Sequence, residues 1–74
     1  MTVRYAIVIE QAQGNFSAYV PDLPGCVAVA ETREEVERLI EEAIAGHIAV
    51  LKELGRPVPA PVTHATTVDV PTSA

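Results

Sequence analysis

The chain has 74 residues, 49% of them hydrophobic, and carries five Lys and Arg against ten Asp and Glu, a formal net charge of −5. That length excludes a second catalytic domain, and the acidic balance argues against direct binding to nucleic acid or an anionic membrane surface and favours a basic protein partner. A domain near this size buries only about 60% of the surface its unfolded chain exposes. With Cys26 as the one cysteine there is no internal disulfide, so self-association is the expected stabiliser and a reducing, cytoplasmic compartment the expected location.

From Val3 to Glu10 the residues alternate, with Val3, Tyr5, Ile7 and Ile9 on one face and Arg4, Ala6, Val8 and Glu10 on the other, which predicts a strand and not a signal peptide. A polar stretch from Gln11 to Asn15, with Gly14 and Asn15 suited to positive φ, leads into a second strand, Phe16 to Val20, so a hairpin is expected. The sequence Pro21-Asp22-Leu23-Pro24-Gly25 turns the chain into a third short strand, Cys26 to Ala30. Thr32 followed by Glu35 forms a capping-box pattern, and Val36, Leu39, Ile40, Ala43, Ile44, Ile48, Leu51 and Leu54 recur at helical spacing, predicting one helix from about Arg33 to Leu54. Gly55 suits a C-terminal cap, and Pro57, Pro59 and Pro61 enforce an extended exit. Thr66 to Val70 alternates again and predicts a fourth, edge strand. The expected fold is α+β: a three-stranded antiparallel meander, one long helix packed on it and the edge strand, in a single domain over 1–74 with its core in 3–61. No stretch is apolar enough over the length needed to span a bilayer.

The run Phe16-Ser-Ala-Tyr-Val-Pro-Asp-Leu-Pro-Gly-Cys26, the helix opening Thr32-Arg-Glu-Glu35, then Ala43-Ile-Ala-Gly-His47 and Gly55-Arg-Pro-Val-Pro-Ala-Pro61, resembles the HicB-type antitoxin domain. The resemblance covers nearly everything from Val3 to Pro61. It implies a partial ribonuclease-H-like fold that is not itself a nuclease and that masks a small, basic, RNA-cleaving toxin of the HicA type. Many members also carry a C-terminal DNA-binding module, and this sequence resembles the stand-alone form without it.

Several residues admit two readings. Glu31, Glu34, Glu35, Glu37, Glu41, Glu42 and Glu53 give the helix an acidic face. These acids are either a solvated surface that also suits the helix dipole, or a phosphate-like field offered to a basic partner, in which case Glu34, Glu37, Glu41 and Glu42 are the binding candidates. Asp22 either bonds its own backbone to fix the turn, or Asp22, Leu23, Pro24, Gly25 and Cys26 form a rigid exposed loop that touches the partner, with Tyr19 as an aromatic anchor. Gly46 lowers helix propensity, which suggests close approach of another backbone, from this domain's sheet or a second copy, with His47 beside it. His47 and His64 lack companions at metal-ligand spacing, so neither a metal nor any other cofactor is expected. Cys26 has no adjacent base and reads as a buried thiol. The competing functions are a homo-oligomeric domain whose clefts hold some other ligand and, last, a metal-dependent nuclease using Glu10, Asp22 or Asp69.

Overall fold

The computed structural model describes residues 2–73 and arranges them as β1 (Val8–Ala12), β2 (Asn15–Tyr19), β3 (Val27–Ala30) and α1 (Arg33–Glu53). The strands form one antiparallel sheet in the order β1-β2-β3, so the meander and single helix are as the sequence predicts.

β1 starts at Val8, not Val3, because its partner ends there. Val8 lies opposite Tyr19, and beyond Tyr19 the chain turns away, with the Val20 N–H donating to the Cys26 carbonyl at 3.3 Å. Tyr5 and Ile7 keep the alternation and pack against the core, but no strand lies beside them to complete a ladder. At the hairpin Ala12 faces Asn15, leaving a two-residue loop of Gln13 and Gly14. Gly14 has φ 84°, whereas Asn15 begins β2 without the positive φ expected of it.

The turn between β2 and β3 is closed by its own backbone. The Leu23 N–H donates to the Val20 carbonyl and the Cys26 N–H to the Leu23 carbonyl, both at 3.1 Å, while Gly25 takes φ 87°. At the start of α1 the Thr32 hydroxyl accepts from the Glu35 N–H at 3.2 Å, satisfying one of the helix's free donors. At its end Gly55, at φ 67°, donates to the Lys52 carbonyl, and the Arg56 N–H donates to Leu51 at 2.9 Å. This is the double bond of a Schellman cap, and Pro57 then prevents further helix.

Alternation along the strands separates two faces. Ile9, Phe16, Ala18, Ala28 and Ala30 point toward α1, which meets them with Val36, Leu39, Ile40, Ala43 and Ile44. Fully buried are Ala18, Val20, Leu23, Cys26, Ala30, Val36 and Ile40. The alanines of β2 and β3 let the helix sit close, so the core lies under those two strands and thins toward β1.

The expected fourth strand is absent among the described residues: 66–70 joins no ladder. Alternation gives a segment two faces but not a partner, and here Val68 and Val70 are both exposed. The segment is instead fastened upstream of this stretch, by Asp22 and Tyr5.

Candidate protein-binding surfaces

Helical geometry sends Glu34, Glu37, Glu41 and Glu42 away from the sheet, and all four are exposed. They are not equivalent. Arg33 pairs with Glu37 at 3.3 Å and Arg38 with Glu42 at 3.1 Å, both one turn apart on the surface, where such a pair contributes about 0.3–0.5 kcal/mol. Among the described residues Glu34 and Glu41 form no ion pair, so they carry the less compensated charge.

α1 lies over β3 and β2 more than over β1. A groove therefore opens between the helix and the chain leading into β1, with Tyr5, Ile7, Ile40 and Ile44 as its apolar floor and Glu37 and Glu41 on its rim. Sequence reasoning missed this groove, because it is created by where the helix lands on the sheet.

The Pro21–Cys26 turn corrects an expectation. Leu23 is 0% exposed and Cys26 is buried, so these two side chains are core and cannot form the exposed part of a loop. Burial also raises the Cys26 pKa and keeps the thiol protonated. Pro24 and Gly25 are the exposed pair. Asp22 does not fix its own turn. Its Oδ2 accepts from the Val62 and Thr63 N–H groups, each at 3.0 Å, and its Oδ1 accepts from the Thr63 hydroxyl at 2.7 Å. The Thr63 hydroxyl and then its N–H lower the Asp22 pKa most, outweighing the opposing effect of desolvation, and the Val62 N–H and nearby His64 add smaller downward contributions. Close by, the Tyr5 hydroxyl donates to the Pro59 carbonyl. The signal available in the sequence was the Asp in the turn and the Thr after the proline run, but nothing in their spacing pairs them.

Tyr19 stands on the face of the sheet opposite the helix, so it and the helix acids cannot belong to one compact contact surface. Gly46 is exposed, and a Cβ built there would meet nothing within 4 Å, which removes this domain's own sheet as the reason for a glycine. His47 is half-buried one residue on.

Among the described residues no three His, Cys, Asp or Glu side chains cluster in a way that could hold a metal ion, and no helix is long and apolar enough to cross a membrane. None of the curated proteins compared with the chain matches it. A family model does match, over residues 5–73, and its description is the HicB-like antitoxin of bacterial toxin–antitoxin systems. That match takes in the sheet, the PDLPGC turn, the capped helix and the segment held by Asp22, and the chain belongs to this antitoxin family.

Proposed function

We propose that this chain is a non-enzymatic, cytoplasmic antitoxin that masks a small, basic, HicA-type RNA-cleaving toxin by covering its surface. The observation that carries the reading, beyond family membership, is the groove of Tyr5, Ile7, Ile40 and Ile44 rimmed by Glu37 and Glu41. A protein that cleaves RNA must present cationic side chains to phosphates. Carboxylates set beside an apolar slot offer such a surface both charge complementarity, which speeds encounter and selects the partner, and apolar area to bury. Glu34 and Glu42 extend the acidic field, and Pro24 and Gly25 of the PDLPGC turn supply a stiff edge. The net charge of −5 disfavours direct contact with nucleic acid, and the small core favours a dimer or tetramer.

The test is to mix the purified chain with a basic HicA-type toxin and follow complex formation and RNA cleavage across salt concentrations. Masking predicts a stoichiometric complex, cleavage that stops, and affinity that falls as salt rises. Replacing both Glu37 and Glu41 with Lys is expected to slow association and flatten the salt dependence. Unchanged capture by that variant at low salt would remove the electrostatic part. No complex with any basic protein would leave the chain as a homo-oligomeric domain whose clefts bind something else.

A further inference from the structure

The sheet has a second face, and its composition is inverted. An antiparallel sheet with one face in water normally alternates apolar inward and polar outward. Here the inward positions of β2 and β3 include Ala18, Ala28 and Ala30, while the larger Tyr19, Val27 and Val29 point outward at 42%, 65% and 62% exposure. Register sets Val8, Tyr19 and Val27 in one unbroken row across all three strands, with Glu10, Ser17 and Val29 in the next. Val8 at the β1 end of the row is half-buried, and Tyr19, Val27 and Val29 are exposed. Glu10 is the only charged side chain in the two rows, although the chain as a whole carries −5.

We infer that this face, centred on Tyr19, is where a second copy of the chain docks, sheet against sheet. Charge selects that occupant. The carboxylates of α1 lie behind the sheet, so in a helix–sheet–sheet–helix stack with layers about 10 Å apart the two acidic helices sit about 30 Å from each other. That separation is several times the Debye length of about 8 Å, so two strongly acidic chains can meet here at little cost. Pairing along the open edge of β3 would instead bring the two helices side by side. A basic partner gains little from an almost uncharged face and is drawn to the helix side. Tyr19 suits the centre of such an interface: it is large, stiff, and needs only an edge position for its hydroxyl. The proposal moves Tyr19 from the toxin contact to the self contact and does not depend on the toxin reading.

Sedimentation equilibrium on the full chain from about 1 µM to about 1 mM, together with NMR of a mixed-label sample, tests it. A dimer is expected, with intermolecular contacts from the Tyr19 ring to the methyls of Val8, Val27 or Val29. Tyr19→Ala should weaken it by about 30-fold. Val29→Glu should abolish it while the helical circular dichroism is unchanged. A monomer at the highest concentration, a dimer untouched by both variants, or intermolecular contacts confined to Gly46 and His47 would overturn the proposal. So would a Tyr19 face that becomes protected only when a basic toxin is added. If Val29→Glu fails to fold, the intermolecular contacts of the unmodified chain decide the matter alone.

Discussion

The Asp22 carboxylate binds Thr63 twice, accepting its hydroxyl at 2.7 Å and its N–H at 3.0 Å, and so ties the segment after the proline run back to the turn between β2 and β3. Both groups lie in stretches without regular structure, yet together they decide where the C-terminal segment runs.

Breaking that clasp should free the segment without unfolding the domain. Asp22→Ala and Thr63→Val are both expected to speed proteolysis beyond Pro57 and hydrogen exchange at the Val62 and Thr63 amides. The amides of α1 should stay protected, since the turn holds itself through Val20, Leu23 and Cys26. Equal loss of protection in α1 would mean that the clasp supports the core.

The same clasp should respond to acid. Because the folded-state pKa of Asp22 lies below its ordinary value of 3.8, its contribution is complete above that value and is lost as the pH falls through the lower folded-state pKa. Exchange at Val62 and Thr63 should therefore rise below about pH 4 in the native chain and be independent of pH in Asp22→Asn, once the intrinsic rate is removed.

Leu23 is the least expected core residue and should be among the most costly to truncate. Leu23→Ala leaves a cavity beneath the turn and is expected to destabilise the fold by about 3 kcal/mol, a large part of what a domain of this size has to lose. Pro24→Ala, one exposed residue further, should change the melting temperature far less. Similar losses for the two would contradict the burial of Leu23.

The glycine inside α1 and the glycine that caps its end should respond with opposite signs. At Gly46 the space is open and the backbone helical, so Gly46→Ala is expected to stabilise the domain by about 1 kcal/mol. Gly55 sits at φ 67°, where a Cβ is strained, and Gly55→Ala should destabilise by about 1 kcal/mol. Denaturant titration of both variants checks this. A Gly46→Ala loss that appears only at high protein concentration would indicate close approach of another copy at that position.

Cys26 should be inert in the folded chain. Buried, with burial holding the thiol protonated, it is expected to react with a thiol reagent only after denaturation. Stoichiometric labelling under native conditions would show the turn opening.

What could be read directly was whatever is encoded within a few residues. The helix and its Thr32 cap follow from local hydrogen bonding, Gly55 from the freedom of glycine at positive φ, and the strands from alternation, which also set Tyr5, Ile7 and Ile9 on one common face, the one that packs against the core. The misplaced boundaries and roles share one cause. Val3 to Ile7 and Thr66 to Val70 alternate like strands but join no ladder among the described residues, and a ladder needs two partners.

Leu23 and Asp22 make the same point within one turn. A Pro- and Gly-rich pentapeptide reads as exposed surface, but packing turns its leucine into the core and its aspartate toward a threonine far along the chain. Local sequence thus determined the elements, their order and the charge each surface carries. Only the tertiary structure decided which strand face the helix covers, which it leaves bare around Tyr19, and where the groove beside Glu37 and Glu41 opens, because these depend on contacts between residues the sequence keeps far apart.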